Sequence, residues 1–245
     1  MTKMIAGVAS VGEALLALHE GADVIDMLDP ARGTLGALDP DTCKSITKII
    51  DGRRPLSVCT GDYPEMVTEE VVAEVRRRAS LAMDFLRIGF AGTRQDASCV
   101  RALARFSAMT RLVGVVFAER TNSLHLLDAF AEWGFSAAIL DTARKDGPSL
   151  RKLKTEVDLA LFVRRARTNG LLVGLSGNLA AGDIPPLLTL EPDYLYFRSA
   201  LCVHRYRNGF IDPLEFRAVR SAIPMEEVYP SSIGTRDQAR SSNTR

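Results

Sequence analysis

The residues with the most chemical content in this chain are Asp141 and Lys145, four apart in Ile139-Leu140-Asp141-Thr142-Ala143-Arg144-Lys145-Asp146-Gly147. A short apolar run stops at a carboxylate and the loop beyond it supplies an amine, which reads as the edge of an active site. A polar loop after a buried strand would carry the same residue types, because charged residues are common in loops. The position of the segment in a repeating pattern decides in favour of the site. Earlier runs end in the same way. The second closes on Asp26-Met27-Leu28-Asp29-Pro30, the third on Cys59-Thr60-Gly61-Asp62, the fourth contains Arg87 and the fifth meets Glu119. Period-2 alternation puts Asp26 and Leu28 on one face. If that face is buried, Asp26 needs a cationic partner, for which Arg87 and Lys145 are the candidates.

A second group of residues has the makings of an anion site. Leu175-Ser176-Gly177-Asn178-Leu179 reads as a glycine turn opening a helix, and Arg198-Ser199-Ala200 follows the last apolar run. Backbone N–H groups, a helix N-terminus and a fixed cation together would hold phosphate. Ser176, Gly177, Asn178, Arg198 and Ser199 are therefore the expected phosphate ligands. Arg205 and Arg207 either reach the same anion or lie on the surface.

These residues need a scaffold that brings distant run ends together. Apolar runs at about Met4 to Ala9, Val24 to Leu28, Leu56 to Thr60, Phe85 to Phe90, Leu112 to Ala118, Ala137 to Asp141, Leu172 to Leu175 and Tyr194 to Arg198 read as eight strands. Helical patterns alternate with them, among them Val11 to His19, Glu69 to Leu81, Ala97 to Met109, Leu124 to Trp133, Glu156 to Thr168 and Leu214 to Ala222. Strands buried on both faces with helices between them predict an α/β protein, a single-domain TIM (β/α)8 barrel over 1–223. An open doubly wound sheet is the other arrangement. Gly21, Gly134 and Gly170 stand where a helix should stop in the left-handed conformation and the next strand begin. Residues 224–245 are polar and without periodicity, and are expected to be a disordered or loosely docked tail.

Composition narrows the function classes. The 31 Lys and Arg against 30 Asp and Glu give a net charge of +1, so no global field draws in nucleic acid or an anionic membrane. Arg76-Arg77-Arg78 and Arg164-Arg165-Ala166-Arg167 read as solvated helix faces. Four scattered cysteines and three isolated histidines offer neither a disulfide framework nor a metal site. No run approaches the roughly 20 apolar residues of a membrane span, and the N-terminus lacks a secretory pattern. A cytoplasmic protein without cofactor or metal is expected.

Gly21-Ala22-Asp23-Val24-Ile25-Asp26, then Asp29-Pro30-Ala31-Arg32-Gly33-Thr34-Leu35-Gly36-Ala37-Leu38, with Leu140-Asp141-Thr142-Ala143 and Lys145-Asp146-Gly147, resemble the (5-formylfuran-3-yl)methyl phosphate synthases. Ile88-Gly89-Phe90 and Gly209-Phe210-Ile211-Asp212-Pro213 extend the likeness over nearly the whole barrel. The resemblance implies a metal-independent, aldolase-like lyase that joins two molecules of glyceraldehyde 3-phosphate on the way to methanofuran or its methylotroph counterpart. It implies Asp26, Asp141 and Lys145 as catalytic residues. Two positions depart from it. Leu28 stands where the family has its Schiff-base lysine, and Arg87 where it has a proton-accepting lysine. An arginine stays charged at neutral pH and can anchor an anion but not accept a proton. Two readings follow. In one, Lys145 is the nucleophile, with its pKa lowered by Arg87 against the pull of Asp141 and Asp146, while Asp141 and Asp26 shuttle protons. In the other, the chain is a catalytically impaired relative that binds phosphorylated small molecules as a regulatory or partner subunit. Assembly with itself or with a paralogue is a further expectation from the resemblance alone.

Overall fold

The computed structural model describes residues 1–81, 83–120 and 123–224. Eight parallel strands close into a barrel in sequence order: β1 (Lys3–Val8), β2 (Val24–Met27), β3 (Leu56–Cys59), β4 (Phe85–Phe90), β5 (Arg111–Phe117), β6 (Ala137–Asp141), β7 (Leu172–Leu175) and β8 (Tyr194–Phe197). The TIM barrel is the observed fold, and each expected strand lies within a residue or two of its place. Helices α1 (Val11–His19), α2 (Pro40–Ile50), α3 (Thr68–Ala79), α4 (Asp96–Leu103), α5 (Ser123–Glu132), α6 (Leu150–Leu153), α7 (Glu156–Thr168), α8 (Ile184–Leu188) and α9 (Pro213–Ser221) surround it. All but Pro224 of the expected tail lies outside the described residues.

Period 2 divides the apolar side chains into two cores. Val8, Ile25, Val58, Leu86, Ile88 and Leu140 face outward and pack with the helices. Ile5, Val24, Leu28, Cys59, Phe85, Val113, Val115, Ile139 and Tyr196 fill the barrel. Helix stops follow the expected turn chemistry. Gly21, Gly134 and Gly170 have φ of 84°, 78° and 72°, a region that costs a residue with a Cβ.

Carboxylates at the bottom face are structural. Asp23, Asp84 and Asp193 each precede a strand and accept the first free amide of the neighbouring one, from Met4, Leu56 and Val173 at 2.7, 2.9 and 2.7 Å. Arg78 corrects the reading of its run as a solvated face. It is buried, bonded to Glu74 at 2.6 Å and to the Leu38 carbonyl at 2.5 Å, and so ties α3 to the segment before α2. Arg165 does meet solvent and pairs with Asp128 at 2.7 Å.

Candidate active site

The even-numbered strands supply a buried polar layer at the upper end of the barrel: Asp26 from β2, Arg87 from β4, Asp141 from β6 and Tyr196 from β8. Layers built from alternate strands are how such barrels pack their interiors. Arg87 is the hub. Its Nη1 donates to Asp26 Oδ2 at 2.6 Å, its Nη2 lies 3.9 Å from Asp141 Oδ2, and its guanidinium sits 4.3 Å from the centroid of the Tyr196 ring. The expected partnership of Asp26 with Arg87 is therefore present. Burial works against the Arg87 charge, but Asp26 and the groups around it hold the pKa well above its ordinary value, so this side chain is a permanent cation. Cys59 donates its thiol to Asp26 at 3.5 Å; burial and the Asp26 charge push that thiol up and keep it protonated.

Several buried atoms of this layer have no hydrogen-bond partner: Asp26 Oδ1, Arg87 Nε and Nη2, and the Tyr196 hydroxyl. Leu28 is packed beside them. A Cβ on Gly7 would strike the Tyr196 hydroxyl and lie 3.0 Å from Leu28 Cδ2, so the absent side chain at Gly7 is what admits the phenol. The sequence brings Cys59 into view only as part of a run end and gives no sign of Tyr196. Tyr196 is two residues before Arg198, and strand parity alone would have put it inside.

Lys145 bonds Asp141 directly through Nζ. Burial pushes the lysine below its ordinary value, opposed by Asp141 and helped by the positive charges of Arg207 and Arg87. Burial would raise Asp141, but the charges of Lys145 and Arg87, with hydrogen bonds from Lys145 and the Thr142 amide, hold it below the usual carboxylate value. Asp146 plays no part, since its carboxylate pairs with Arg144. The loop bearing Lys145 is clamped from three sides. Glu119 accepts the Ala143 amide at 2.9 Å, Asn178 Nδ2 donates to the carbonyls of Arg144 and Gly147 at 3.1 and 3.0 Å, and the Thr34 hydroxyl donates to the Ala143 carbonyl at 2.7 Å. Gly177, at φ 110°, passes so close to Thr142 that a Cβ would clash with it.

Ser176, Gly177, Asn178, Arg198 and Ser199 line one small cleft, and Lys145 and Arg207 line it with them. Two expectations about it are corrected. The turn does not open a helix directly, because a 3-10 turn, Ala181–Asp183, precedes the five-residue α8. Arg198 is also committed elsewhere. Its Nη1 donates to Glu13 at 2.5 Å and to the Gly7 carbonyl at 3.1 Å, its Nη2 to the Gly209 carbonyl at 2.8 Å, and its Nε to the Arg207 carbonyl at 3.0 Å. A side chain buried in this way supports the cleft and has no free fork for an anion. Glu13, its partner, also accepts the Ala9 and Ile211 amides. From sequence it looks like an ordinary first-turn helix acid.

The segment after β2 crosses the barrel mouth as a strap. Asp62 accepts the amides of Thr34 and Leu35 at 2.6 and 3.0 Å, Arg207 Nη2 donates to the carbonyls of Gly33 and Thr34 at 3.2 and 2.8 Å, and Leu35 descends into the barrel. Gly89 of β4 makes room, since a Cβ there would sit 2.7 Å from Leu35 Cδ1. Among the described residues no cluster of three or more His, Cys, Asp or Glu is disposed to hold a metal, and no helix is long and apolar enough to cross a membrane.

Eight strands with a carboxylate and cation mouth place the chain among TIM barrels. Solved structures agree. Phosphoribosyl anthranilate isomerase from Thermus thermophilus superimposes with a TM-score of 0.64 at 17% identity, over 91% of this chain and 98% of that one. A 3-hexulose-6-phosphate synthase gives 0.64 at 14% identity, over 91% and 100%. At such identities the likeness is one of fold. Sequence comparison is more particular. The family described as 4-HFC-P synthase matches residues 4–220. The (5-formylfuran-3-yl)methyl phosphate synthase of Archaeoglobus fulgidus is 32% identical over 213 residues, 82% of this chain and 90% of that protein. That of Methanopyrus kandleri is 32% identical over 208 residues, covering 80% and 87%. A Methylorubrum extorquens protein, given the same name provisionally, is 40% identical over 210 residues and 86% of each chain. The chain belongs to the 4-HFC-P synthase family.

Proposed function

We propose that this protein is a (5-formylfuran-3-yl)methyl phosphate synthase-type lyase that joins two molecules of glyceraldehyde 3-phosphate by aldolase-type chemistry, in methanofuran or methylofuran biosynthesis, with Lys145 as the amine nucleophile. The observation that carries this reading is the Lys145–Asp141 contact on the wall of the cleft formed by the β7 and β8 loops. Burial that disfavours the ammonium brings the amine nearer to the neutral form a nucleophile needs. In the first step the Lys145 ammonium passes a proton to Asp141, and the free amine adds to the aldehyde carbon. The proton returns to the departing hydroxyl, leaving a protonated imine and one water, with no net proton taken up. Asp26 is held by Arg87 and, in this scheme, shapes the field beside the imine. Ser176, Gly177 and Ser199, with the backbone amide of Asn178, contact the phosphate.

A second reading rests on Leu28 and Arg87. These occupy the two positions where the family resemblance puts lysines, and both are buried in the barrel. On that reading the chain binds phosphorylated small molecules without turning them over. Borohydride trapping in the presence of glyceraldehyde 3-phosphate separates the two. The lyase reading expects a reduced adduct on the peptide containing Lys145. No adduct, or random labelling that includes Lys44 and Lys48, returns the protein to the binding reading.

A further inference from the structure

Arg207 lies in the hairpin-like loop between β8 and α9, and its backbone is fixed by the arginine that sequence placed in the anion site. Arg198 Nε holds the Arg207 carbonyl while Arg198 Nη2 holds that of Gly209, and an isolated antiparallel bridge joins Cys202 to Ile211 at the base of the loop. The loop thus presents the Arg207 side chain to the cleft that Lys145, Ser176, Asn178 and Ser199 also line. There its guanidinium is half used. Nη2 donates to the strap carbonyls of Gly33 and Thr34, whereas Nε is buried and has no partner. An orphaned N–H on a guanidinium that lines the same cleft as Lys145 is a donor waiting for an acceptor, and a buried donor left unpaired carries a cost that a ligand oxygen would relieve.

We infer that Arg207 binds the phosphate of the substrate through Nε while Nη2 keeps hold of the strap, so that one side chain both selects phosphorylated ligands and links occupancy of the cleft to closure of the segment over the mouth. This rests on the phosphorylated-substrate reading above and adds to it the residue responsible and the linkage. The single Nε–H of a guanidinium suits a phosphate oxygen better than a lysine ammonium would, because its direction is fixed. Engaging Nε would immobilise the guanidinium and with it the Nη2 contacts to Gly33 and Thr34. Leu35, the next residue, would then be held more firmly in the barrel.

Glycerol 3-phosphate is the suitable probe, since it has the phosphate and carbon count of the proposed substrate but no carbonyl to react. Calorimetry on the full chain is expected to show binding to the parent, weakened about ten- to a hundredfold in Arg207→Ala, the scale of one hydrogen bond to a charged group. Arg207→Lys, which keeps the charge and serves if the alanine variant fails to fold, should also bind more weakly. Hydrogen exchange at the Thr34 and Leu35 amides should slow when the probe is added to the parent and change little in either variant. Equal affinity in the parent and both variants overturns the assignment of Arg207. Equal slowing of the strap in the variants overturns the linkage. Absence of any binding to the parent, with glycerol as the unphosphorylated control, removes the phosphorylated-substrate reading itself and this inference with it.

Discussion

Two carboxylate–cation pairs stand at the mouth of this barrel and differ in what they can do. Asp26 and Arg87 are both buried, and the cation is an arginine that cannot lose its charge under ordinary conditions. Asp141 and Lys145 are only four residues apart, the lysine keeps some contact with solvent, and burial has already moved its ammonium below the ordinary value. The first pair is an electrostatic fixture, while the second is the one that exchanges a proton in the proposed reaction. Like composition and opposite behaviour follow from the choice of cation and its depth.

The largest effect should come from the second pair. Lys145→Ala is expected to lower the rate of product formation by on the order of 10³-fold or more and to abolish the trapped adduct, as loss of a nucleophile does. An adduct that persists in this variant would end the claim that the two pairs differ in reactivity. Arg87→Met addresses the first pair, because it strands Asp26 as a buried charge. A loss of about 3 to 5 kcal/mol in urea denaturation is expected, with most of it restored when Asp26→Asn is added. A loss under 1 kcal/mol would show that Asp26 is solvated after all.

Leu28→Lys puts an amine beside the fixed pair, on the same face of β2 as Asp26. It should cost about 1 to 3 kcal/mol and leave the protein folded, because Asp26 Oδ1 and the Tyr196 hydroxyl are both without partners nearby. If Lys145 is the nucleophile, the variant gains no activity. Activity in it with none in the parent would instead reveal a site that kept its walls and lost its amine. The smallest effect concerns acid. Asp141 lies below its ordinary value of 3.8, so as pH falls the unfolded chain takes up the proton first. The stability it contributes is complete above the unfolded value and is lost as pH drops through the lower folded one. In the difference between parent and Asp141→Asn, the urea midpoint should be flat near neutrality and converge only below about pH 4.

Strand periodicity made the scaffold readable. Runs such as Phe85 to Phe90 and Ala137 to Asp141 are buried on both faces, so their type and limits are written locally. Asp26, Arg87, Asp141 and Lys145 could be placed at one rim for the same reason. Arg198 could not be assigned correctly, because its partner Glu13 is 185 residues away and resembles any helix-capping acid. Tyr196 sits inside an apolar run, where a phenol reads as core until the Arg87 guanidinium is seen over its ring. The strap was legible as a motif but not as a strap, since Asp62, Ala143 and Arg207 reach it from three other loops.

The seam between β1 and β8 has a consequence for how the chain is made. Its bonds join residues as far apart as Gly7 and Arg198, 191 positions, and Thr2 and Pro192, 190 positions. Within the barrel, β1 therefore waits for nearly all the other strands to be made before its second neighbour exists. Through that interval β1 offers an open edge of unpaired amides and carbonyls, the surface on which nascent chains pair wrongly. A chain stopped before β8 would be an unclosed sheet with two such edges, and would lack the Glu13–Arg198 pair that ties α1 to the loop after β8.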